Sequence, residues 1–283
     1  MTYLLRRAGA VTESGGLLAA LTMLALSVWS LPVIAGDIED KIRRTNYWLV
    51  GGIVGYGLTS WEWELAERRF HVSREHWFQA STKYGGADKL GHVYTGYVAT
   101  RLAAALYRRW GMAPEEALRE AVFSSVLMTT ILEIGDGFSD FGFSPEDIVS
   151  NSAGQLAAYW LETHPALGRR LDLRLEYDVL DDEAKYDPSS DYNSMKYLVA
   201  VKFAGFERLN RGVARYLEFH LGYYTRGFDA TDDHPTPERT LYAGLGLNLS
   251  ELLNRGGYGR TGRIFNYLQM PGVYIDAGYG LDD

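Results

Sequence analysis

The sequence predicts an α+β chain in which a helical domain precedes an antiparallel β region of about five strands. Two observations carry this reading. From Asp37 to about Leu167 the apolar residues recur mostly at helical spacing, and beyond that point they alternate. Glycine and proline sit at the junctions of these segments, where helices and strands must stop.

The helices follow in order. Tyr47 to Leu65 is apolar and aromatic, with Gly51, Gly52, Gly55 and Gly57 offering small residues for a close helix contact. A loop around Thr82 to Gly86 precedes a helix from Ala87 to about Trp110. Gly111 and Pro114 divide it from a third helix running to about Ile134. The Gly-, Asp- and Phe-rich stretch Gly135 to Phe143 then leads into Ser144-Pro145-Glu146-Asp147. That is a helix start, with Ser144 as N-cap, proline in the first turn and acids beside the positive end of the helix dipole. The fourth helix should end near Leu161. Ala121 to Leu132 is the longest uncharged run in these helices, 12 residues. As helix it covers only about 18 Å of a hydrocarbon layer of about 30 Å, which points to a water-facing or membrane-apposed bundle.

In the second half, Leu171 to Tyr177, Tyr197 to Phe203, Tyr216 to Tyr224, Leu241 to Leu249 and Val273 to Tyr279 alternate and are rich in aromatics, as amphipathic strands are. Membrane barrels commonly begin at about 8 strands. Five strands therefore suggest a small sheet packed on the bundle, or a partial barrel completed by oligomerisation. Leu180 to Asp191 reads as an acidic linker.

The first residues carry an export signal. Arg6 and Arg7 precede an apolar core at Leu17 to Trp29, followed by Pro32 and Val33-Ile34-Ala35, a pattern that places signal-peptide cleavage after Ala35. An uncleaved anchor is the alternative, because Gly15 to Ile34 is long enough to span a bilayer. Either way the remainder lies outside the cytoplasm, and it is expected in the periplasm or associated with the outer membrane. The domain plan is a signal peptide over 1–35, a helical domain over 36–167 and a β-rich region over 168–283. The chain contains no cysteine, which removes disulfides, thiolate metal sites and an acylated cysteine. Beyond Ala35 it has 26 basic and 35 acidic side chains, so nothing in its charge favours nucleic acid or an anionic lipid surface as a partner.

Chemistry concentrates in the helical half. Asp88 and His92 lie four residues apart, with Lys89 beside them, and so share a helix face. Glu133 and Asp136 stand at the end of the third helix, and Asp147 and Asn151 share a face of the fourth, after Ser144. If the small-residue faces of these helices pack, the polar groups meet at one end of the bundle. The ordered pattern Asp88-Lys89-x-x-His92, Glu133-x-x-Asp136, Phe143-Ser144-x-x-Asp147-x-x-x-Asn151-x-x-Gly154 resembles the YfiM family of periplasmic proteins and, more distantly, VanZ-like membrane proteins. The resemblance covers about Ala87 to Tyr159 and implies an envelope location and a helical fold. It implies no particular reaction.

Three readings of the constellation stand side by side. His92 with Asp88, Glu133, Asp136 or Asp147 could ligate a divalent cation, or act as a carboxylate-oriented general base with Glu133 and Asp136 in a hydrolase or transferase working on an envelope lipid or glycan. Asp88, Lys89, Ser144, Asp147 and Asn151 could line a site for an envelope lipid headgroup or an envelope protein. The same residues could equally tie helices together as a buried polar network. The cofactor is left open, as are the metal and the oligomeric state. Among other residues, His71 and His76 are expected on an exposed amphipathic helix and His220 within a strand. Gly-x-Ser-x-Gly, Walker and His-Glu-x-x-His motifs do not occur.

Overall fold

A computed structural model describes residues 37–178, 191–228 and 236–282. The expected signal segment, and the acidic linker up to residue 190, lie outside the described residues. The fold is α+β; the described residues form four long helices, three short ones and a six-stranded mixed sheet that is mostly antiparallel. The chain forms two compact units. One comprises the described residues up to His76 together with Thr95–Tyr159; the other comprises Trp77–Tyr94 and the residues from Trp160 onward.

The helical unit is built from α1 (Ile38–Ser60), most of α2 (Ala87–Arg109), α3 (Pro114–Asp136) and most of α4 (Pro145–Thr163). Their ends follow local chemistry. Acids occupy the first turns of all four helices, and Arg108 and Arg109 occupy the last turn of α2. Pro114 opens α3 and Gly137 caps it. Ser144 Oγ accepts from the Asp147 N–H at 3.2 Å, as the N-cap reading requires. Helix α1 begins nine residues earlier than its aromatic stretch suggests, because Asp37 precedes an acidic first turn at Glu39 and Asp40. Ile42, Leu106, Tyr107, Ala117, Leu118 and Ala121 form one apolar core. Residues 61–76, including both His71 and His76, are irregular and not helical. They are laced by main-chain bonds to the loop after α3: His71 N–H to Gly137 O at 2.9 Å, Phe143 N–H to His71 O at 3.0 Å and Ser73 N–H to Phe143 O at 2.9 Å.

The second unit carries α5 (Pro165–Gly168), β1 (Leu171–Tyr177), β2 (Met195–Lys202), β3 (Leu217–Arg226), β4 (Glu238–Leu247), α6 (Leu249–Arg255), α7 (Gly259–Gly262), β5 (Leu268–Gln269) and β6 (Tyr274–Gly280). The strand order is β5-β1-β2-β3-β4-β6, with β5 parallel to β1 and the other pairs antiparallel. The five expected strands are present, and the two-residue β5 adds a sixth.

This sheet cannot be flat. Five strand spacings would separate β5 from β6 by about 24 Å. The chain from Gln269 to Tyr274 spans at most about 19 Å. The two edges therefore curl towards each other, and the Tyr274 hydroxyl on β6 donates to Glu176 on β1 at 2.8 Å.

No helix among the described residues is long and apolar enough to cross a membrane.

Candidate functional site

In the helical unit, the site is organised by Trp63. Its indole is buried between two glycines: a β-carbon on Gly57 or on Gly135 would lie 2.3 or 2.2 Å from the ring. Seated there, the indole Nε1–H donates to Asp136 Oδ1 at 2.8 Å. Three residues before Asp136, Glu133 is buried on the inner face of α3. It accepts from the Ser144 backbone N–H and, at 3.5 Å, from Asn151 Nδ2 on α4. Asp147 is buried on the same helix, and Glu75, in the irregular segment, acts electrostatically on both Glu133 and Asp136.

Burial dominates the electrostatics of this cluster. It pushes Glu133 up to about 9, with the negative fields of Asp147, Asp136 and Glu75 adding to the rise and the Ser144 N–H opposing it. Asp136 is pushed up to about 7 by burial, against the pull of the Trp63 hydrogen bond, with Asp147 and Glu75 raising it further. At neutral pH Glu133 therefore holds its proton and Asp136 is near its midpoint. Such groups can donate a proton or exchange it for a cation.

The polar character extends along the helices. Gln155 Nε2 donates to Thr129 Oγ1 at 3.1 Å and to Ser125 Oγ at 3.3 Å. A β-carbon on Gly96 would meet the Asn151 carbonyl oxygen at 2.3 Å, so α2 and α4 touch almost backbone to backbone.

Of the eight residues singled out in the sequence, the helical unit thus gathers Glu133, Asp136, Ser144, Asp147 and Asn151. Asp88, Lys89 and His92 belong to the first turns of α2, in the second unit. There Lys89 is buried and pairs with Asp88 at 2.8 Å, and His92 is half-buried one turn on. Trp63 and Glu75 join the cluster without having been singled out as site residues. Nothing periodic marks them, because long-range main-chain bonds bring their segment to α3.

The second unit holds a larger polar assembly that the sequence did not reveal. On the concave face of the sheet, Arg174 is 2 % exposed. It donates through Nη1 and Nη2 to Glu218 at 2.5 and 2.9 Å, and through Nη1 to Gln269 at 3.0 Å. His220, fully buried, places Nε2 at 2.9 Å from the same Glu218. Lys202 pairs with Asp172 at 2.7 Å. Lys196 donates to the Tyr274 hydroxyl at 2.9 Å, lies 3.3 Å from Glu176, and sits over the rings of Tyr224, Tyr242 and Tyr274.

The cross-strand register puts the apolar residues on the opposite face: Leu173↔Val199↔Leu221↔Ala243↔Ala277, and beside it Val201↔Phe219↔Leu245↔Ile275. This convex face is open to the surroundings towards β3, β4 and β6, where Leu221 is 54 % and Ile275 75 % exposed. Segment 77–94 covers part of it. Phe78 meets Tyr223 edge to face at 5.6 Å, and the Tyr223 hydroxyl donates to the Gly85 carbonyl.

No curated protein and no solved structure matches this chain. Residues 74–163, which carry α2, α3, α4 and the whole carboxylate constellation from Glu75 to Asn151, match the family described as predicted periplasmic lipoprotein (DUF2279).

Proposed function

We propose that this chain is an exported envelope protein that holds to a membrane through the convex face of its sheet and there binds or organises envelope lipid. The inverted polarity of the sheet carries this reading. A sheet with one face in water turns its apolar side chains inward. Strands that meet lipid do the reverse, with polar residues inside and apolar residues out. Here Arg174, Glu218 and His220 are enclosed, while Phe219, Leu221, Leu241, Leu245, Ile275 and Tyr279 are exposed. Fully burying one such side chain is worth about 1.5–3 kcal/mol, so covering the exposed halves of these six gains on the order of 5–9 kcal/mol.

The face is matched to hydrocarbon in charge as well. Among its described strand residues the charged one is Arg239, at the end of β4, which is held by Asp282 through bonds of 2.5 to 3.1 Å. Strands β3 and β4 have 10 residues each, the length of membrane strands. The family similarity supports an envelope setting.

Flotation with vesicles of phosphatidylethanolamine and phosphatidylglycerol tests this. The wild-type chain is expected to rise with the vesicles. A Leu221→Asp/Ile275→Asp variant, with an unchanged melting temperature in mild detergent, is expected to stay at the bottom. Wild-type chain that stays at the bottom refutes the reading.

A further inference from the structure

Resting on that reading, we propose that an apolar groove in the convex face seats one acyl chain of a phospholipid drawn from the surrounding bilayer. The groove has a volume of about 210 Å³ and lies between the start of α2, at Leu90 and Val93, and the sheet, at Leu173, Val199, Leu221 and Leu241. An apolar cavity of about 150 Å³ already stays dry and takes up benzene.

The walls decide what enters. Three tyrosines, Tyr94, Tyr197 and Tyr223, stand around the groove, and each has its hydroxyl committed to the protein. Tyr94 donates to the Tyr267 carbonyl at 2.8 Å, Tyr197 to Met195 Sδ at 3.1 Å, and Tyr223 to the Gly85 carbonyl. Arg174 is the charged residue in the lining; both its Nη atoms are turned to Glu218 and Gln269, and its Nε is buried without a partner among the described residues. A buried water needs two to four polar partners; the tyrosine hydroxyls and both Arg174 Nη atoms are committed elsewhere, which leaves the single Arg174 Nε. A charged or strongly polar ligand would lose its hydration with little in return. Hydrocarbon loses nothing. Leu221 and Leu241 belong both to the groove and to the open convex face, so a chain already lying against that face enters the groove without crossing water.

The test uses the full chain, reconstituted in vesicles of phosphatidylethanolamine and phosphatidylglycerol, extracted into mild detergent and weighed by native mass spectrometry. A parallel arm supplies palmitate. Wild type is expected to retain one phospholipid per chain. Val93→Trp, which fills the groove without adding charge, is expected to retain at least fivefold less while still floating with vesicles. Should Val93→Trp fail to fold, Leu173→Asn places an amide in the lining and must show the same loss. Variants that retain phospholipid as wild type does overturn the groove, as does wild type that floats but retains none. Retention of palmitate without phospholipid overturns the bilayer as the source. Wild type that fails to float overturns the lipid-facing reading, and the groove with it.

Discussion

Replacing Glu133 by glutamine removes a titration while keeping shape and hydrogen-bonding capacity, and the structure fixes its consequence. The carboxyl titrates at 4.5 when unperturbed and is pushed up to about 9 in the folded helical unit. Between those values the folded state holds a proton that the unfolded state has released. The stability this represents is fully present below about 4.5 and drains away as pH rises through about 9. Each pH unit in that window costs about 1.4 kcal/mol, a factor of ten in the opening equilibrium. Asp136 adds a similar slope between 3.8 and about 7, and then stops contributing. From pH 7 to 9 the slope therefore belongs mainly to Glu133 and amounts to roughly 2 kcal/mol, flattening as pH nears 9. Hydrogen exchange on peptides covering α3, corrected for intrinsic rates, reads this directly. Wild-type protection should fall about tenfold from pH 7 to 8 and somewhat less from 8 to 9, and protection in Glu133→Gln should stay nearly level. Parallel pH dependences in the two proteins would refute the assignment of a buried, protonated Glu133.

Two further expectations follow from single contacts. The Trp63 indole pulls Asp136 down against the burial that raises it, so Trp63→Phe should shift the Asp136 carboxyl titration, followed by carbon NMR, above that of wild type; an unchanged midpoint would show that the 2.8 Å bond carries no electrostatic weight. In the sheet, Arg174→Leu leaves Glu218 buried without its bidentate partner and should cost about 3–5 kcal/mol. Adding Glu218→Leu should recover much of that loss in detergent melts, whereas losses that simply add would contradict the coupling.

The positions of α2, α3 and α4 could be read from the sequence because their ends are marked locally, by Pro114, Gly111, Gly137 and the Ser144-Pro145 start. The alternation of β1, β2, β3, β4 and β6 was equally legible. Which of the two alternating sets turns inward was not: a period of two defines two faces without assigning either to the core. That choice is made by closure of the sheet, through Tyr274 reaching Glu176 and through Arg174 reaching Glu218 and Gln269. Strand β5, with two residues, is too short to leave a periodic signal. The carboxylates Glu133, Asp136 and Asp147 were found by their helical spacing. Trp63 and Glu75 were missed because an irregular segment has no period, and its bonds to the loop after α3 are known only once the chain is folded. His220 was placed correctly within its strand, but its partner Glu218 sits two residues away on the same face, a spacing that means contact in a strand and none in a helix.

The two polar interiors differ in a way that bears on function. In the sheet, Arg174, Lys196 and Lys202 are matched by Glu218, Glu176 and Asp172 in three opposed pairs. These opposed pairs tie β1, β2 and β3 together across the concave face and suit a scaffold that must present one apolar face unchanged. In the helical unit, the side chains that raise Glu133 are themselves acids: Asp147, Asp136 and Glu75. Burial first, and these acids with it, raise Glu133 to about 9 and Asp136 to about 7, so this cluster changes protonation within the range an envelope protein meets. If the sheet supplies attachment, the part of the chain able to respond chemically is the carboxylate cluster, and it is the same part that the family similarity covers.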